Sequence, residues 1–341
     1  MLITGSLPVE WMTSIIYWLC DTFHTEPFAV KGVFAILLVC TLCGMVGSLV
    51  VGNRMAFFSD TMAHSAIAGV SLGYLSVVFS GDRTNDSWVV PLVMILFGVA
   101  VGISMVYVRD KTGLANDTVI GVFFAFVIGF GAMLFQVLRQ KTAFNPENFL
   151  FGNLIFIPEE NLFHLLILTV VATPVFAWQY NQFVFGSFNP TLARTRGLSL
   201  RLNNYLFIII LAFVVNLSIK AVGALLINAL LIVPTAAAAN LSRNLRQIFW
   251  LTVAFSLGSG LLGFVLRNSI LFSFGGGEPV PFGPSGLIVM TSVVLFFASM
   301  LFAAFWARFA PVLGFTPLPR NLHKHVHDDT CAHDHSLGQC P

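Results

Sequence analysis

The sequence predicts an all-α, polytopic bundle of about eight or nine membrane-spanning helices. Three observations carry that prediction. Apolar residues make up 57% of the 341 positions and charged residues only 9%, against about 25% charged in an ordinary soluble domain. A soluble chain of this length needs polar groups to cover its surface, and this one lacks them. Second, apolar runs near the spanning length of about 20 residues recur from one end to the other. Third, these runs do not alternate in the ten-residue pattern of a β-barrel. Backbone N–H and C=O groups in lipid must be paired within their own segment, so the runs are read as helices. The 35 phenylalanines suit a lipid-facing surface, and a net charge of +2 is too small to suggest nucleic acid as a partner.

The elements follow in order. Residues 1–30 are read as an N-terminal interfacial segment. Glu10 precedes the apolar stretch Trp11 to Cys20, which is too short to span and has no basic region before it, so it is not read as a cleaved signal. The transmembrane domain, 31–310, holds runs at 32–51, 61–79, 89–108, 119–138, 161–179, 204–219, 221–239, 249–267 and 286–307. The runs 204–219 and 221–239 are separated only by Lys220. Gly69 with Gly73, Gly98 with Gly102, and the set Gly258, Gly260 and Gly263 carry the small-residue spacing that lets helix backbones approach. Cys40 and Cys43 have C-x-x-C spacing, but inside an apolar run they read as small packing residues, and the five cysteines imply no disulfide framework. Asp117 opens a helix, where negative charge suits the dipole, and Pro234 kinks one. Asn216, Lys220 and Asn228 either line a pathway or pair between helices. The remainder, 311–341, is a His-rich tail that begins among Pro311, Pro317 and Pro319.

Orientation follows from Lys and Arg. With the loop 180–203 taken as cytoplasmic, alternation places eleven of the 17 basic residues inside, among them Arg54, Arg109, Arg194, Arg243 and Arg308, and six outside. The C-terminus is then cytoplasmic.

Asp60 and His64 carry the clearest chemistry. They stand four apart, so a helix projects them from one face. Ionisable groups within a span cost about 2.5–3.5 kcal/mol on insertion scales and are usually paired or functional. A carboxylate oxygen and an imidazole nitrogen suit a divalent transition metal such as zinc or manganese. Spacing alone fits equally an Asp that caps the helix and a His bonded to a neighbour. The tail adds His323, His325, His327, Cys331, His333 and His335, five of the eight histidines, with Asp328, Asp329 and Asp334 among them. That composition reads as weak metal binding. The loop from Phe188 to Asn204 reads as a short basic cytoplasmic helix whose small residues, Ala193 and Gly197, allow close approach of a soluble partner. No G-x-x-x-x-G-K-[ST] or H-E-x-x-H sequence occurs, so an enzyme reading has little to stand on and the chain carries no P-loop.

Six segments together resemble the permeases of zinc, manganese and iron ABC transporters. They are the stretch from Asn53 to Gly69 with Arg54, Met55, Asp60 and His64; Asp117 to Gly121; Phe151 to Asn153; Phe188 to Gly197; Val222 to Ala238 with Pro234; and Phe282 to Gly286. They fall in the family's order and cover roughly residues 30–307. Asn189 stands near a position that is often acidic in that family, and Asn228 sits in a run that is usually apolar or hydroxylated. The resemblance implies an ABC metal-permease fold in the cell inner or plasma membrane. It implies a divalent metal as cargo with no permanently bound cofactor, and ATP hydrolysis on a separate subunit. It also implies a metal-binding receptor protein outside, a homodimer surrounded by lipid, a metal path past Asp60 and His64, and an ATPase-coupling loop at Ala193, Arg194, Arg196 and Gly197. The alternative is a secondary metal transporter or channel driven by an ion gradient.

Overall fold

The structure is a computed structural model. It describes residues 13–22 apart from 15 and 19, then 26–52, 55–80, 86–141, 150–188 apart from 153, 155 and 156, 200–242, 244–269, 271–272, 280–281 and 283–309. The coupling loop and the His-rich tail lie outside the described residues.

Nine described helices are long and apolar enough to cross a membrane. They are α1 (Pro27–Gly52), α2 (Ala56–Ser80), α3 (Asp86–Thr112), α4 (Asn116–Lys141), α5 (Glu159–Phe188), α6 (Leu200–Val222), α7 (Ala224–Leu241), α8 (Leu245–Ser269) and α9 (Pro284–Phe309). Each expected run lies in one of them except 221–239, which begins in α6 and crosses into α7, and most helices extend past the apolar run by several residues. The reason is chemical: polar side chains end the hydrophobic signal, but backbone hydrogen bonding continues until a breaker arrives. Before α1, the described positions between 13 and 22 are helical, with Ile16 buried and Tyr17 and Trp18 exposed. One departure from an all-helical chain is a two-residue antiparallel ladder between α8 and α9, β1 (Leu271–Phe272) with β2 (Val280–Pro281).

The boundary between α6 and α7 falls at Gly223 and not at Lys220, which stays inside α6. Gly223 has φ 93° and Gly152 has φ 67°, conformations that a side chain disfavours. The two backbones touch, so a Cβ on either would collide with the main chain of the other segment. A charged residue within an apolar run does not break a helix; a glycine pinned at positive φ does.

The bundle packs through its small residues. Gly69 and Gly73 of α2 lie against the backbone of α3 at Met94 and Val90, where a Cβ would stand 2.8 and 3.0 Å away. Gly98 and Gly102 of α3 face Asn216 and Ile208 of α6. Gly260 of α8 faces Cys40 and Ile36, and Gly263 faces Ile288 of α9, whereas Gly258 faces open space. Cys40 and Cys43 are both fully buried free thiols within α1, as packing residues would be. Asn216 is buried and donates to the carbonyl of Ala212 at 2.7 Å, which turns its amide onto its own helix. Outward, Met290, Val294, Phe297, Leu301 and Phe305 of α9 form an exposed apolar stripe at helical spacing, the surface that hydrocarbon would cover.

Candidate functional site

Helix α2 positions the site. Its inner face, with Phe58, Met62, Ala63, Ala66 and Val70, is fully buried. Thr61 and Ser65 are buried too, and their hydroxyls donate back to Phe57 O at 3.3 Å and Met62 O at 2.7 Å. Those hydroxyls are satisfied within the helix. Asp60 and His64 lie one turn apart beside this face and are only partly buried.

Asp60 and His64 lie in a helix of spanning length, with the membrane-length stretch at Phe57–Ser80. Met62, between them, reaches to 3.6 Å from where a Cβ on Gly102 would sit. Gly102 is ten residues before the end of α3 at Thr112 and sixteen after its start at Asp86. At 1.5 Å per residue it lies about 15 Å from one end and about 24 Å from the other. On α2 itself Asp60 is the fifth residue and His64 the ninth, about 6 and 12 Å from the start of the helix.

Each has one neighbour of note. Asn228 of α7 donates its amide Nδ2–H to Asp60 Oδ1 at 2.6 Å, a hydrogen bond between helices 168 residues apart in sequence. Asn228 Oδ1 is buried with no hydrogen-bond partner among the described residues. The His64 ring meets Phe124 of α4 edge to face, with centroids 5.2 Å apart and planes at 79°. Among the described residues no cation pairs with Asp60, and no hydrogen-bond partner of His64 is found. Among the described residues, the imidazole's ring contact is the edge of Phe124. Sequence left Asn228 open between lining a path and pairing helices; it pairs with the acid. Phe124 was missed, because one phenylalanine among 35 carries no signal.

This donor set suits transit more than storage. Among the described residues no three His, Cys, Asp or Glu side chains come together. A structural metal site is closed by four protein ligands, whereas one acid and one imidazole leave most of the coordination sphere open. Other charged groups lie elsewhere. Lys31 of α1 pairs with Glu159 of α5 at 2.6 Å, and Arg109 pairs with its neighbour Asp110 at 3.2 Å. Asp117 is exposed in the first turn of α4, consistent with the dipole role. A groove of about 730 Å³ between α1, α5 and α8 is lined by Met45, Phe176, Tyr180, Arg246 and Trp250 and contains neither Asp60 nor His64.

Comparison with known proteins adds the decisive observation. The sequence pattern of the ABC 3 transport family matches residues 25–303. The chain belongs to that family. This ABC 3 family member is 26% identical over 278 residues to the manganese transport system membrane protein MntC of Listeria innocua, an alignment covering 81% of the chain and 91% of the relative. It is 30% identical over 243 residues to the high-affinity zinc uptake system membrane protein ZnuB of Haemophilus influenzae, covering 68% and 88%. Its fold matches a chain of PsaBC from Streptococcus pneumoniae, solved in complex with Fab, with a TM-score of 0.65 at 22% identity, covering 83% of this chain and 95% of that one. The multi-pass helical fold is therefore that of a membrane permease, and catalysis is not its task.

Proposed function

We propose that this ABC 3 family permease carries a divalent metal ion inward past Asp60 and His64. The observation that carries the reading is the placement of an acid and an imidazole on one face of a helix of membrane-spanning length. Uncompensated charge there is costly, and a passing cation is what such a pair can serve. Relatives named for manganese and for zinc support a metal cargo, as does a probable iron transport system membrane protein of Haemophilus influenzae, 24% identical over 251 residues. The ion is substrate, held loosely enough to leave.

The family supplies the rest of the machine. A receptor outside delivers the metal, and an ATPase subunit inside drives alternating access through the loop at Ala193, Arg194, Arg196 and Gly197. Two copies of the chain pair within the lipid, with the metal route between or beside them. The basic residues orient the C-terminus to the cytoplasm. There the tail, with His323, His325, His327, Cys331, His333 and His335, binds metal weakly and tunes uptake. Deleting residues 323–341 is expected to change how uptake responds to external metal; identical responses would remove that role.

The central test is uptake of radioactive manganese and zinc in cells that express the permease with its ATPase. Asp60→Ala and His64→Ala are each expected to reduce uptake by at least the 10- to 100-fold typical of lost metal-site groups, with assembly intact by pull-down of the ATPase. Full uptake in both variants would overturn the reading.

A further inference from the structure

We infer that Asn228 is a third ligand and the specificity determinant of the metal route, favouring manganese over zinc by presenting its amide oxygen to the ion. This rests on the route proposed for Asp60 and His64.

The geometry is specific. Asn228 is the fifth residue of α7 in an otherwise apolar stretch, and it faces the acid of α2. Amide bond lengths of about 1.23 and 1.33 Å put Oδ1 about 2.3 Å from Nδ2. With Nδ2 at 2.6 Å from Asp60 Oδ1, the Asn228 carbonyl oxygen lies at most about 4.9 Å from that carboxylate oxygen. Two oxygens bound to one ion at about 2.0–2.2 Å stand up to about 4.4 Å apart. A shared ion is therefore reached with a shift of a few tenths of an ångström or a rotation of the amide.

The buried oxygen needs an explanation of its own. A carbonyl oxygen deprived of water and of a donor carries a desolvation cost, and Asn228 Oδ1 has no partner among the described residues. The two ends of the amide serve the empty and the loaded site in turn. With the site empty, the N–H end caps Asp60 and compensates its charge. When a cation arrives, the N–H must leave the carboxylate face that the ion takes. The terminal torsion of Asn is broad and roughly two-fold, so a half-turn replaces the N–H by the oxygen. The unsatisfied acceptor of the empty site becomes a ligand of the loaded one.

The chemistry sets the preference. Carboxylate and carbonyl oxygens suit manganese, and imidazole suits zinc. Asp60 and His64 alone offer one donor of each kind, while a carbonyl from Asn228 makes the set richer in oxygen. An amide adds this donor without adding charge. The set keeps one negative charge against a divalent ion, which favours release over capture.

The test uses the permease co-expressed with its ATPase and measures uptake of manganese and zinc in competition. Asn228→Leu removes both ends of the amide at similar volume. It is expected to lower the manganese-to-zinc ratio about tenfold or more. Asn228→Asp removes the N–H donor but keeps an oxygen, and it is expected to retain the manganese preference with slower turnover, because added charge tightens binding. A merely structural hydrogen bond to Asp60 predicts the reverse, since two carboxylates repel and the link breaks. An unchanged ratio in Asn228→Leu overturns the inference. So does a ratio in Asn228→Asp that falls to the Leu value, and this second variant decides the matter if the first does not assemble. Loss of uptake in Asp60→Ala alongside an unchanged ratio in both Asn228 variants would leave the route standing without Asn228, whereas full uptake in Asp60→Ala and His64→Ala would remove the route itself.

Discussion

Asp60 and His64 share a helical face but not an environment, and their substitutions should differ accordingly. Asp60 accepts a hydrogen bond from another helix. Asp60→Ala removes a ligand and also orphans the Asn228 amide, so it is expected to lower stability by about 1–3 kcal/mol in addition to stopping transport. His64 meets only the edge of Phe124 among the described residues. His64→Ala is expected to stop transport with a smaller stability loss, near the about 0.5–1.5 kcal/mol of an aromatic pair. Thermal melting of the detergent-solubilised complex reads the difference; equal melting shifts would mean that the Asn228 bond carries no net stability.

At the scale of the element, the α6–α7 junction is where the chain is least able to change. Gly223 holds φ 93° and abuts the backbone of Gly152. Gly223→Ala combines an unfavourable conformation, costing about 1–3 kcal/mol, with a collision against main chain that no rotamer relieves. It is expected to reduce the amount of folded permease in the membrane and to lower its melting temperature. Gly258→Ala, in open space on α8, is the matched control with little effect. Fluorescence-detected gel filtration of both variants checks this, and a Gly223→Ala protein as abundant and as stable as the control would contradict it. The junction also sets the start of α7, and with it the register that brings Asn228 to Asp60.

For the whole molecule, the prediction concerns which way the bundle faces. Nine described helices are of spanning length, and the proposed orientation, with the C-terminal end inside, rests on the bias of basic residues. The cost of carrying Lys and Arg clusters outward sets that bias, whereas packing within the bundle is indifferent to it. A single cysteine introduced beyond residue 309 in a background without native cysteines is expected to resist an impermeant maleimide in intact cells and to react after lysis. Labelling in intact cells would invert the topology.

Much of this was legible in the order of the residues. Lipid admits helices and little else, so runs such as 89–108 and 286–307 had one available fold, and the i, i+4 spacing of Asp60 and His64 sufficed to put them on one face. Gly69 and Gly73 announced a tight helix contact for the same local reason. What the residue order left open was everything that depends on a distant segment. Lys220 looked like a helix boundary and was not, because Gly223 breaks the chain only with Gly152 against it. Asn228 looked equally like a path residue or a helix pair, and Gly258 looked like a packing residue. Hydrophobic periodicity is a one-dimensional property set by the solvent, so sequence carries it in full. Which amide meets which acid, 168 residues away, is decided only when the helices pack.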